Sequence, residues 1–158
     1  MLSQRLLDLL NAQVGWEHYA SALYRQASST VYALGMARTA NYLRKAAEEE
    51  REHADKFSEY VDQRGGQLRL GDVKAPPVFS DARTAFTGIL ELEQEVTGLL
   101  SQLQQAADEE GDRMTNEFLA WFLLEQIKGE ADARTLTRLA AGSSDLMTLD
   151  AAVGETLG

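Results

Sequence analysis

The chain has 158 residues, 44% of them hydrophobic and 25% charged, which is enough for one domain with a sizeable core. Its 25 acidic residues outnumber 15 Lys and Arg, and the net charge of -10 repels a nucleic-acid backbone and draws in cations. With no cysteine there is neither a disulfide scaffold nor a thiolate metal site, so any bound metal must use oxygen and nitrogen ligands.

From about Gln4 to Leu34 apolar and small residues recur at helical spacing, with Leu6, Leu10, Val14, Glu17, Ser21, Tyr24, Ser28 and Val31 on one face. Gly35 ends this helix. A second is under way by about Thr39 and runs to Gln63 or Arg64, where Gly65-Gly66 stops it. The short link makes the two antiparallel. Gln67 to Ser80, with Gly71 and Pro76-Pro77, reads as a connection. Roughly 14 extended residues reach at most about 50 Å, and a helix of about 28 residues is about 42 Å long. The connection can therefore run the length of a bundle and start the third helix at the end where the second began. The third helix is expected from Asp81 or Ala82 to Ala107, a turn over Asp108–Asp112, and a fourth helix from about Arg113 to Ala141. Gly142 to Asp145 then breaks and recaps the chain for a short segment bearing Leu146, Leu149, Val153 and Leu157. The expectation is one domain over 1–158: an all-α four-helix bundle over about 4–141 with one long crossover, and a short C-terminal helix over about 145–157. No uncharged run approaches membrane-spanning length, and the N-terminus lacks a long apolar core followed by a small-residue cleavage site, so no membrane is expected and the cytoplasm is the default location.

The second helix carries Glu49-Glu50-Arg51-Glu52-His53. Glu50 and His53, three residues apart, project from one helix face and can close on a single ion. Threes and fours counted from Glu50 reach Leu43, Ala46, Ala47, Ala54, Phe57 and Val61, an apolar row. An ionised carboxylate on such a row costs several kcal/mol unless it is compensated. Acidic clusters on helices are ordinarily solvated faces. Here, though, Glu17 between Val14 and Tyr24, and Glu93 between Leu90 and Val96, repeat the same anomaly.

The chain also carries an internal two-fold. Glu17 and Glu50 are separated by 33 positions, as are Glu93 and Gln126. A shift of 76 residues lays Glu17 on Glu93, Tyr42 on Phe118, Leu43 on Leu119, Glu49 on Glu125 and Glu50 on Gln126. The same shift lays His53 on Gly129, so the second half lacks the imidazole and has an amide where the first has a carboxylate. One strong ion position and one weaker are expected.

Glu17 with Tyr24, Glu49-Glu50-x-x-His53, Glu93-Gln94 with Val96-Thr97, and Phe118-Leu-Ala-Trp121-Phe-Leu-Leu-Glu125-Gln126 together resemble the non-haem bacterial ferritins of the ferritin-like di-iron family, over almost the whole chain. The resemblance implies that Glu17, Glu50 and His53 hold one iron. Glu50 would then bridge to a second, held by Glu93 and steadied by Gln126, with Tyr24 beside the pair. Bacterioferritin is less similar. Its haem-binding methionine would fall near this second-helix motif, where the chain has Glu52, and Met1, Met36, Met114 and Met147 lie outside it, so no haem is expected. Family members often follow the Glu-Gln of the fourth helix with carboxylates that form a third iron position. Here Ile127-Lys128-Gly129-Glu130 follows, and that position is expected to be weakened or absent, with Glu49 and Glu125 its remaining ligands.

The function implied is iron storage with ferroxidase activity: Fe(II) oxidised by O2 at an intra-subunit di-iron centre, and ferric mineral kept inside a homo-oligomeric cage of 24 subunits. The alternative is a catalytically weakened structural cage subunit or metal buffer, to which Lys128 and Gly129 give weight.

Overall fold

Each helix starts where a short polar side chain can take an orphan backbone N–H. The computed structural model describes residues 1–158 as five helices and no strand. The Ser3 hydroxyl accepts from Leu6 N–H (3.1 Å) and opens α1, Gln4–Ala33. Asp81 and Thr84 form a reciprocal capping box at the start of α3, Ala82–Glu110. Asp112 and Asp145 do the same work at α4, Arg113–Gly142, and α5, Leu146–Thr156, by accepting from Thr115 N–H (3.0 Å) and Thr148 N–H (2.9 Å).

Two boundaries differ from the sequence expectation. Helix α2, Ala37–Gln63, starts two residues before Thr39 because its cap comes from another element. Asp150 of α5 accepts from Thr39 N–H (2.8 Å), the Thr39 hydroxyl (2.7 Å) and Arg38 N–H (3.3 Å). Helix α3 continues three residues past Ala107, since Gly111 takes a left-handed φ of 67° and lets Asp112 N–H return to Ala107 O (2.9 Å). The acidic run after Ala107 is therefore not a free turn. Glu109 pairs with Arg5 (2.8 Å), Asp108 accepts from Asn116 (2.5 Å), and half-buried Asp112 pairs with Arg64 (2.9 Å).

Cross-helix contacts set the topology. Arg5 meets Glu109 and Tyr24 meets Glu93, so α1 and α3 are antiparallel; Tyr60 meets Thr115 and Tyr42 meets Asp132, so α2 and α4 are antiparallel too. The crossover follows α1 from end to end. Asn11 brackets its start by donating to Gln67 O (3.2 Å) and accepting from Arg69 N–H (2.8 Å). Lys74 then lies over Tyr19 and Trp16, and Pro76 shares a hollow with Arg25 and Tyr32. The result is the expected four-helix bundle with one long crossover, in which α2 and α3 run parallel.

Thirty-two buried apolar residues make one continuous core. At one level it is aromatic: Tyr60 stacks on Phe118 (3.9 Å between centroids) and Phe57 packs on Phe122 (4.3 Å). At the next level towards α5 the apolar filling gives way to carboxylates.

Candidate metal centre

Glu17 sits mid-way along α1 on the face that also buries Leu10, Val14 and Tyr24, and helical geometry turns its carboxylate inward. It is 1% exposed. Gln13, one turn earlier and equally buried, donates from Nε2 to Glu17 Oε1 (2.8 Å). Glu17 Oε2 accepts no hydrogen bond and lies 3.8 Å from His53 Nδ1. From α2, the Glu50 and His53 side chains meet one turn apart, with Glu50 Oε2 3.0 Å from His53 Nδ1. The imidazole is held edge-on against Trp121 and Phe122 of α4. Glu17, Glu50 and His53 thus bring three ligand atoms within 4.8 Å of one another, close enough for small side-chain rotations to place all three about 2.1 Å from one cation.

The second cluster is built differently. Glu93 of α3 is buried, and both its oxygens are engaged. Tyr24 Oη donates to Oε1 (2.5 Å), while Gln126 Nε2 donates to Oε2 (2.5 Å) and to the Glu93 backbone carbonyl (2.8 Å). Both clusters open onto a cleft of about 610 Å³ between α2, α4 and α5. Glu49 and Glu125 line the same cleft but do not join the three-ligand group. Lys128 stands at its rim, 3.7 Å from Asp132, which also accepts from the Tyr42 hydroxyl (3.5 Å). Glu130 is turned to Thr97 (2.7 Å) and Arg134 (3.2 Å) instead.

Electrostatics without a cation are those of uncompensated acids. Burial drives the Glu50 carboxyl well above its ordinary value, and the hydrogen bond from His53 offsets only part of that. Burial lowers the His53 imidazole, but Glu17 and Glu50 outweigh it and raise the ring to about 10. Burial likewise raises Glu93, against the donors Tyr24 and Gln126, and pushes the Tyr24 phenol up with the Glu93 charge adding to it. One observation tests whether a metal fits. Glu17 Oε2 is a buried carboxylate oxygen with no donor, beside a carboxylate and an imidazole, and a divalent cation among them would satisfy it. The residues fit.

Gln13 went unnoticed in the sequence, although its place four residues before Glu17 puts it on the same helix face. Asp150 carried no local signal for its partner, which lies 111 residues away.

Comparison with known proteins agrees with this geometry. A family model described as a ferritin-like domain matches residues 7–141. A bacterial non-haem ferritin of Staphylococcus aureus is 34% identical over 159 aligned residues, covering 98% of this chain and 96% of that protein. The non-haem ferritin of Staphylococcus epidermidis is 35% identical over 144, covering 88% and 87%. Among solved structures, an open-pore ferritin of the archaeon Archaeoglobus fulgidus superposes with a TM-score of 0.92 at 30% identity, covering 98% of each chain. On the sequence, the helix order and these relatives together, the chain belongs to the ferritin-like family, among the bacterial non-haem ferritins.

Proposed function

We propose that the protein stores iron and acts as a ferroxidase, taking Fe(II) as its substrate at an intra-subunit two-ion centre. The first ion binds among Glu17, Glu50 and His53, and the second between Glu50 and Glu93 with Gln126 at its side. The observation that carries the reading is the donorless, buried Glu17 oxygen facing Glu50 and His53. Carboxylate and imidazole ligands suit iron in both oxidation states, since anionic oxygens stabilise the higher charge of the product. O2 takes one electron from each ion and two protons from water to leave as hydrogen peroxide, and the two ferric products leave through the cleft. Glu49 and Glu125 line that way out, and Tyr24, which donates to Glu93, stands beside the reacting pair. Assembly is proposed as a homo-oligomeric cage of 24 subunits enclosing the mineral. The archaeal neighbour is an open-pore ferritin of which a closed form has been engineered, which supports a shell.

Stopped-flow absorbance after aerobic Fe(II) addition tests the activity. Wild type is expected to oxidise two Fe(II) per subunit in a fast phase that Glu50→Ala and His53→Ala abolish. A rise no faster than in protein-free buffer overturns it. That outcome would select the second reading, a structural cage subunit or metal buffer, which the doubly engaged Glu93 and the Lys128 ammonium at the rim favour.

A further inference from the structure

A side chain at position 129 would collide with Glu93. A Cβ built on Gly129 lies 2.9 Å from Glu93 Oε2 and 3.2 Å from its Cδ, so the observed Glu93 conformation exists only because this residue is glycine. Gly129 has an ordinary helical backbone inside α4, where glycine lowers helix stability relative to alanine, and no positive φ requires it. Close approach of the carboxylate is the one thing the missing side chain permits.

The internal two-fold gives this contact its meaning. The shift of 76 residues places Gly129 on His53 and Glu93 on Glu17. In the first half the glutamate faces an imidazole and keeps one oxygen free. In the second half the glutamate lies against bare α4 backbone with Tyr24 on one oxygen and Gln126 on the other. The first arrangement offers a cation a carboxylate oxygen with no donor; the second has both glutamate oxygens engaged and must weaken those hydrogen bonds to receive one.

We propose that Gly129 is a positioning residue: it provides a parking place in which Glu93 is held away from metal by Tyr24 and Gln126, so that the two ions load in strict order. The inference rests on the two-ion reading above and deepens it. The first ion enters at Glu17, Glu50 and His53 with only small side-chain rotations. Binding of the second draws Glu93 off Gly129 and releases the Tyr24 hydroxyl. The two-fold alone makes the second position weaker through a missing ligand; parking makes it weaker through a conformation, which a substitution can undo.

Calorimetric titration with Zn(II), which is redox-inert, separates the two steps in the assembled full-length protein. Wild type should show two steps well separated in affinity. Gly129→Ala adds a Cβ that only the flexible end of Glu93 has to avoid, so the fold should persist, and circular dichroism checks that it does. The variant is expected to tighten the second step about tenfold or more, the scale of one lost hydrogen bond to a carboxylate, and to leave the first step unchanged within about twofold. Tyr24→Phe removes one of the two donors without adding volume and should shift the second step in the same direction. In wild type the second step alone should carry a near-ultraviolet tyrosine difference signal, absent in Tyr24→Phe. A second step unmoved in both variants overturns the proposal, as does equal movement of both steps. Loss of all Zn(II) binding in wild type would instead refute the two-ion reading itself.

Discussion

At the scale of single residues, the buried acids of the candidate centre are a cost that the metal-free fold carries. Glu50 and His53 both have raised proton affinities, so the native state without metal holds more protons near neutrality than the unfolded chain does. The sign follows directly. His53 contributes stability that is complete below about 6.5, the unfolded value, and is lost as pH rises through about 10. Glu50, raised by burial, contributes in the same direction: its share is complete below the ordinary carboxylate range and declines as pH climbs through its elevated value. Metal-free protein is therefore expected to melt at progressively lower temperature from pH 6 to pH 9. Zn(II) must displace those protons, so it should raise Tm more at pH 9 than at pH 6. Differential scanning calorimetry of metal-free and Zn(II)-loaded protein decides it; a metal-free Tm flat across that range, or a Zn(II) increment larger at pH 6, would contradict the assignment. His53→Ala should remove the imidazole's share of the difference and leave the share that burial gives Glu50.

At the scale of elements, the periodicity of apolar residues was a reliable guide because each long helix buries one face, and that face repeats every three to four positions. Leu6, Leu10, Val14 and Val31 on α1 are in the core where the spacing put them, and Phe86, Ile89, Val96 and Leu103 on α3 are buried at the same period. The carboxylates interrupting those faces pointed to the candidate site: Glu17 and Glu93 are buried as their apolar neighbours required, and Gln126 of α4 is buried beside Glu93. What the sequence hid depends on contacts between distant segments. The start of α2 is set by Asp150 of α5, and no local residue supplies a cap, since Met36 has no side-chain acceptor there. Likewise Gly129 read as the loss of an imidazole, and only the nearness of Glu93 shows what the space accommodates. The α5 contact has a measurable consequence. Asp150→Ala removes the acceptor for Thr39 N–H, the Thr39 hydroxyl and Arg38 N–H, and should cost about 1 kcal/mol, the usual scale of an N-cap. Hydrogen exchange should show α5 and the first turn of α2 losing protection together, while the middle of α2 around Glu50 keeps its own. Protection lost in only one of the two would show that Asp150 does not couple them.

At the scale of the whole molecule, charge and shape act on the same ion. The net charge of -10 attracts divalent cations to the subunit, and the carboxylates of Glu50 and Glu93 line the cleft that opens onto the candidate centre. Lys128 opposes that attraction locally. Its ammonium at the rim, 3.7 Å from Asp132 and largely exposed, places a positive charge on the approach to the centre. Exposed charges act over about 8 Å at physiological ionic strength, so the field of the Lys128 ammonium is sensitive to salt. Two effects should therefore appear in stopped-flow association of Co(II), used so that no oxidation follows. The wild-type rate constant should fall as ionic strength rises, because the net attraction is screened. Lys128→Glu reverses a charge on that path, and at low salt it should accelerate association about threefold or more, the lower end of electrostatic steering. The advantage should shrink towards unity in molar salt, where screening shortens to about 3 Å. A rate that ignores salt would mean that Co(II) reaches the centre by a route remote from this acidic cleft. An acceleration that persists in molar salt would mean that Lys128 acts by blocking space rather than by its charge.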